Sequence, residues 1–475
     1  MRRLRDVLPA CTFALCAGLA HVASLAADLP PQVEQALQRA RVPADALAVV
    51  VREVGTDRHV LSAGAQRAVN PASLTKLLTT LAALDRLGPA WTWTTPVWLH
   101  GRVQDGVLDG HLVLQGTGDP KLVVERLWLL LRRVQQLGVH TIRGDIVLDN
   151  SAFAVPEGSA ADFDGEPTRP YNVQPAALLL NYKTVRYDFV PDTAAGVARV
   201  LVEPALAGVA VDRTVPLVPG PCGDWRGALK PEFGAERVRF AGAYGTACGE
   251  LSWLVADPQP ASYNGRLLRA LWAEMGGQLG GTVREGAAPV GVPPSIELRS
   301  PPLGDLVRDI NKFSNNVMAQ QLFYTLDLQR HPGQPATAAG AREALRQWLS
   351  DKLGELPPDL VLDNGSGLSR DTRLTAQLLA RLLVRAYDSP VMPELVASLP
   401  VLGLDGTLRR ARATPGRAHL KTGSLRDVSA LAGYVLADSG RRYVLVAVVQ
   451  HANAQGARPA LDALVQWVMQ DAPPL

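Results

Sequence analysis

Between about residue 97 and residue 297 this chain reads differently from what lies on either side. Short β-like runs at 97–100, 111–114, 142–148 and 200–202 are separated by Gly, Asp and Pro, with one helical stretch at 123–137 among them. Stretches 216–221 and 287–294 carry prolines and read as linkers. A chain of 475 residues exceeds what one hydrophobic core ordinarily serves. The contrast is therefore read as material inserted into a domain whose two parts flank it.

The flanks are more regular. Residues 47–63 hold two apolar runs turned at Gly55-Thr-Asp57, a strand pair. Leu74, Leu77, Leu78, Leu81 and Leu84 recur at helical spacing until Gly88-Pro89 stops them. Helical patterning returns at 303–322, 338–353 and 375–387. Two apolar strands, 429–436 and 442–449, flank Ala437-Asp-Ser-Gly440 and predict a hairpin central in a sheet, followed by a helix at 458–469.

The N-terminus predicts export. Arg2, Arg3 and Arg5 precede an apolar stretch from Val7 to about Ala27, and Ser24-Leu-Ala26 places small residues for cleavage. Residues 1–27 are read as a signal peptide, with an uncleaved anchor as the alternative and membrane contact otherwise at most peripheral. Cys11 and Cys16 leave with it. Cys222 and Cys248 remain as an even pair in an oxidising compartment, which favours a disulfide over two free thiols. No His lies near them in a ligand pattern, so neither a metal nor a cofactor is expected. A net charge of +3 without basic runs gives nucleic-acid binding no electrostatic support.

Lysine is rare: 7 of the 48 Lys+Arg residues. Ser73-Leu-Thr-Lys76 contains the only Ser-x-x-Lys of the chain, at the start of a buried helix, where residues three apart share a face. Lys can give up its proton when desolvated and act as a base; Arg in practice cannot. A serine needs such a base, and the 8 histidines are scattered, with no Gly-x-Ser-x-Gly elbow. Two further lysines lie in Lys312-Phe-Ser314-Asn-Asn316 and in Lys421-Thr-Gly-Ser424. Lys421 would be a second cation lowering the proton affinity of Lys76. Ser314 would relay a proton to the leaving amine, and the Asn316 amide would hold a peptide group through both donor and acceptor. Lys421 and Thr422 would meet a terminal carboxylate, and Gly423 would let a peptide pair with the strand edge. The Ser73 N–H would stabilise an oxyanion.

In this order the three segments resemble the penicillin-recognising serine peptidases. More narrowly, the chain resembles the D-alanyl-D-alanine carboxypeptidase/endopeptidase family, the class C low-molecular-mass penicillin-binding proteins. Asn70-Pro-Ala72, Gly116-Thr-Gly-Asp-Pro120, Gly144-Asp145-Ile-Val-Leu-Asp149, Asp363-Asn-Gly-Ser-Gly-Leu-Ser-Arg370 and Ser398-Leu-Pro-Val-Leu-Gly-Leu-Asp-Gly-Thr407 carry the same likeness.

The resemblance implies an α+β penicillin-binding/β-lactamase-like transpeptidase fold, an antiparallel sheet flanked by helices with two β-rich inserted subdomains. Residues 28–96 plus 298–475 would form the catalytic domain. The inserted region 97–297 would divide into about 97–167 with 252–297, and about 168–251. The implied protein is an exported, periplasmic serine peptidase acting on peptidoglycan stem peptides through an acyl-enzyme on Ser73, with covalent inhibition by β-lactam antibiotics. Ser73, Lys76 and Ser314 would be catalytic. Asn316, Lys421, Thr422, Gly423 and Ser424 would bind substrate, with the Ser424 N–H as second oxyanion donor. Asp162 and Asp164 are candidates for the amine of the stem's diamino acid, against a solvated acidic loop. Gly365 and Gly367 would be structural, with Ser366 near the cleft rim. A serine β-lactamase or esterase of the same fold, or a non-catalytic peptidoglycan-binding relative, are the alternatives. No oligomeric state is read from the sequence.

Overall fold

The computed structural model describes residues 29–411 and 413–472; the expected signal peptide, with Cys11 and Cys16, lies outside the described residues. The two flanks close into one antiparallel sheet of five strands. Their spatial order is His59–Ala63, Leu47–Glu53, Arg442–Gln450, Val428–Leu436, Ala418–Leu425. Side chains alternate between faces along each strand. Ala48, Val50, Val444, Val446 and Val448 enter one core, beneath Thr75–Leu87, Leu303–Phe313, Asn316–Arg330, Ala338–Leu353 and Ala376–Tyr387. Val49, Val51, Leu445, Ala447 and Val449 enter the other, against Pro31–Arg39 and Arg458–Met469. Both faces of the hairpin are covered, hence its near-continuous apolar sequence. The expected α+β architecture with a central hairpin is present.

The 303–322 stretch is not one helix. It breaks at Ser314, which is left-handed (φ 57°, ψ 40°), and the next helix restarts at Asn316. The Asn315 carboxamide oxygen accepts from the Met318 N–H (3.1 Å) and caps the restart. Apolar periodicity runs across the break; the Ser-Asn pair marks it.

The 97–297 region has its own hydrophobic core. One seven-stranded sheet is drawn from 94–149 and 278–299; a five-stranded sheet lies at 184–256. Leu251–Ala256 pairs with Thr184–Asp192. Two expectations fail here. Pro260–Glu274 is a second long helix, which buries Tyr263, Leu267, Leu268, Leu271 and Trp272 and starts with Pro in its first turn, a helix-start signal. Thr214–Val218 is a strand, so only the end of 216–221 is a connection.

Cys222 and Cys248 are bonded, 26 residues apart, and join the end of that strand to the approach of Leu251–Ala256. Closing a loop of this length removes unfolded-chain entropy worth about 3.5 kcal/mol. Replacing both cysteines by Ala should therefore move an unfolding transition to lower temperature; an unchanged calorimetric trace would contradict this.

Candidate active site

Ser73 sits in a single 3₁₀ turn, Ala72–Leu74, that runs into the helix Thr75–Leu87. The turn is held from several directions. The Asn70 side chain accepts from the Ala72 N–H (2.9 Å) and donates to the Ser369 carbonyl (2.8 Å). Gln450, on the central strand, accepts from the Asn70 N–H (2.9 Å). Ala72 is left-handed (φ 47°), the kind of local strain that persists only when its surroundings enforce it.

Lys76, one turn on, is fully buried. Its Nζ lies 3.0 Å from Ser73 Oγ, 2.6 Å from Asn316 Oδ1 and 2.6 Å from the Ser366 carbonyl. Burial first, and the charge of Lys421 second, hold this amine well below its ordinary proton affinity. The two shorter contacts go to atoms that can only accept. Were the amine neutral, its two N–H donors would serve Asn316 and Ser366, and its lone pair would face the Ser73 hydroxyl, as a general base requires.

Lys421 is also fully buried, and burial lowers its amine to about 7. It donates to Ser314 Oγ (2.9 Å) and to the Thr422 carbonyl (2.8 Å). The left-handed break turns Ser314 toward it. Ser314 is thus paired with Lys421, whereas the amine of Lys76 is paired with Ser73, Asn316 and Ser366. Asn316 is not free to grip a peptide with both ends: its oxygen serves Lys76, and its Nδ2 donates to the Tyr171 carbonyl (3.3 Å) from the inserted region.

Ala418–Leu425 is an edge strand. Its first half is covered by Leu402 N–H to Ala418 (2.9 Å) and Leu420 N–H to Pro400 (3.0 Å). Strand alternation then turns the Thr422 and Ser424 N–H groups to the same side. The room left by the absent Gly423 side chain is taken by the serine turn: a Cβ there would lie 2.8 Å from the Pro71 carbonyl oxygen. This glycine admits the turn that carries Ser73, a reason for it that differs from contact with a substrate strand.

Ser73, Ser314, Asn316 and Ser424 line one open cleft of about 590 Å³. Phe163, Asp164 and Tyr171 from the 97–297 region, and Leu368, Arg370 and Leu425, are among the other residues of its walls. Sequence reasoning missed Phe163, Tyr171 and Arg370; the Arg370 guanidinium stacks 4.4 Å from the Phe163 ring centre. Asp164 lies in the cleft, accepting from Tyr171 Oη (2.9 Å) and Asn172 Nδ2 (2.7 Å), whereas Asp162 is turned to the Ser159 N–H (2.8 Å). Ser366 is buried on the floor beside Lys76, not at the rim. Among the described residues, no cluster of His, Cys, Asp and Glu could hold a metal ion, and no helix is long and apolar enough to cross a membrane.

A sequence profile described as the D-Ala-D-Ala carboxypeptidase 3 (S13) family matches residues 29–471. The chain is 31% identical over 426 residues to a D-alanyl-D-alanine carboxypeptidase of Actinomadura sp. (strain R39), covering 82% of this chain and 75% of that protein. It is 25% identical to the D-alanyl-D-alanine carboxypeptidase DacB of Haemophilus influenzae, over 80% of each. The crystal structure of penicillin binding protein 4 (dacB) from Haemophilus influenzae shares the fold, with a TM-score of 0.72 at 22% identity over 91% of this chain and 99% of that one.

Two predictions follow from the amines. Asn316→Asp sets a carboxylate against Lys76; the opposite charge favours the protonated amine. Acylation of Ser73 should fall by about a hundredfold at neutral pH, and this deficit relative to wild type should shrink as pH is raised; a rate equal to wild type across pH would refute the base. Second, kcat/KM should decline as pH passes upward through about 7, where Lys421 loses its charge. Lys421→Arg, charged throughout, should remove that decline from whatever activity it retains.

Proposed function

The chain belongs to the D-Ala-D-Ala carboxypeptidase 3 (S13) family, and on that premise we propose how its residues cleave a peptide ending in D-Ala-D-Ala. It is a serine-type D-Ala-D-Ala carboxypeptidase. The observation that carries the mechanism is the Lys76 amine, 3.0 Å from Ser73 Oγ, with its other contacts on acceptors. Ser73 Oγ attacks the penultimate carbonyl and passes its proton to Lys76. The oxyanion lies between the N–H groups of Ser73 and Ser424. As the C–N bond breaks, Ser314 gives its proton to the leaving D-Ala nitrogen and takes one from Lys421. Water then attacks the acyl-enzyme from the vacated side and returns a proton through Ser314 to Lys421. Lys76 restores the proton of Ser73, so the cycle closes without net proton change.

Thr422 and the charge of Lys421 receive the substrate's carboxylate, and the open edge past Leu420 takes its backbone as an added strand. Asp164 is our candidate for the amine of the stem's diamino acid; its carboxyl is held below the ordinary range, against burial, by Asn172 and Tyr171, so it is charged when substrate arrives. The same acyl-enzyme serves endopeptidase cleavage of crosslinks and covalent capture of β-lactams. Action on the cell wall implies export, and the N-terminal Arg residues and apolar stretch support a periplasmic site. The separate core of the 97–297 region supports a catalytic domain of 28–96 plus 298–475. The pairing of Leu251–Ala256 with Thr184–Asp192 supports a second inserted unit that extends to that strand.

The mature protein should release D-Ala from a stem pentapeptide and take a fluorescent penicillin on the Ser73 peptide, seen by mass mapping. Ser73→Ala should lose both. An unlabelled wild type would sink the mechanism.

A further inference from the structure

Lys312 and the segment ending at Thr407 are the parts of the sequence reading that the mechanism leaves unused. The structure brings them together beside the carboxylate-binding strand. After the helix Met392–Ser398 the chain turns through 399–408 and lies along the edge strand, tied by the Leu402–Ala418 and Leu420–Pro400 hydrogen bonds. Leu402 and Leu408 are buried in the core beneath and anchor both ends of the turn. Between them Asp405 folds back: one carboxylate oxygen accepts from the Val401 N–H (2.7 Å), the other from Lys312 Nζ (2.5 Å). The Lys312 side chain is 5% exposed and Asp405 39%. Lys312 reaches this position from the last turn of the helix that ends at Ser314. Gly406 (φ 54°) packs against that helix end; a Cβ there would be 2.6 Å from the Lys312 carbonyl oxygen.

One residue further on, Thr407 is exposed, and its hydroxyl meets the Thr422 hydroxyl at 2.8 Å. Lys421 Nζ is bonded to the Thr422 carbonyl on the same strand. A pair of hydroxyls beside a cation can each give a proton to one oxygen of a carboxylate. Among the described residues, neither hydroxyl is given an acidic side chain as hydrogen-bond partner.

We infer that Thr407 is a second hydroxyl ligand for the substrate's terminal carboxylate, and that the Lys312–Asp405 pair positions it. This rests on the proposed carboxypeptidase reading. Thr407 contacts the ligand; Lys312 and Asp405 act through it. Because the Lys312–Asp405 pair ties the helix Leu303–Phe313 to the turn that lies along the edge strand, it also keeps Ser314 and Thr422 in one register. The loop therefore favours substrates with a free C-terminus over those whose terminus is masked.

The test uses two acyl-D-Ala thiolesters whose leaving groups end in a free carboxylate or in its methyl ester. Thiolesters acylate fast enough for both to be measured. Thr407→Val should lower the acid-over-ester ratio of kcat/KM by about tenfold, mainly through KM, and Thr407→Ser should restore it. Lys312→Met should lower the same ratio and, added to Thr407→Val, lower it no further. An equal loss on both esters, or an unchanged ratio, in a protein whose wild type is active overturns the role of Thr407. Wild-type protein that turns over neither thiolester and takes no penicillin refutes the peptidase reading itself, and the ligand with it.

Discussion

Two lysine amines are buried within one site, and the organisation around them follows from that. A buried ammonium is costly unless its donors are met and its charge is offset. Lys76 and Lys421 find no carboxylate among their hydrogen-bond partners; they find hydroxyls, one carboxamide and two backbone carbonyls. Such partners satisfy N–H donors but offset the charge less than a carboxylate would, and the charge of Lys421 adds to burial in lowering the proton affinity of Lys76. Lys76 is therefore pushed toward its neutral form rather than held as half of an ion pair. Lys312 makes the contrast within the same protein: nearly as enclosed, it has Asp405 against it.

The acceptors come from far apart in the chain. Ser73 sits on the turn that runs into the Lys76 helix, Asn316 on another helix, and the Ser366 carbonyl comes from a loop nearly 300 residues away. The inserted region takes part as well. The Tyr171 carbonyl accepts one N–H of the Asn316 amide, which orients it so that its oxygen faces Lys76. Gln321, fully buried one turn beyond, exchanges two hydrogen bonds with the backbone of Ala176 (3.0 and 2.9 Å). The region that walls the cleft is thus bolted to the helix that tunes the base, so cleft shape and proton affinity are set by the same packing.

Elements with strong local signals were legible. The hairpin at 428–450, the serine helix, and the helices at 338–353 and 458–469 announce themselves through unbroken periodicity ended by Gly or Pro. The break at Ser314 and the helix at 260–274 were not read. In the first, apolar spacing continues across a cap; in the second, poor helix formers (Pro260, Asn264 and Gly265) lie within a β-rich stretch and mask a helix. Ser73, Lys76, Ser314, Asn316 and Lys421 were candidates because the expected chemistry would demand particular residue types, and the fold brings Ser73, Lys76 and Asn316 into one hydrogen-bonded group and Ser314 and Lys421 into another. Backbone carbonyls carry no such mark, so the Ser366 and Tyr171 contacts could not be named.

By itself the sequence determined which groups are available: one serine with a lysine one turn on, two more lysines in polar segments, and strands apolar enough to be buried on both faces. These follow from local spacing and composition. Tertiary structure decided what each group is bonded to, and with that its protonation and role. It gave Ser314 to Lys421 rather than to Lys76, used the Asn316 oxygen to hold the base, and filled the space at Gly423 with the serine turn. Proton affinity and hydrogen-bond partnership depend on distances of about 3 Å between segments hundreds of residues apart, and only the folded core sets those.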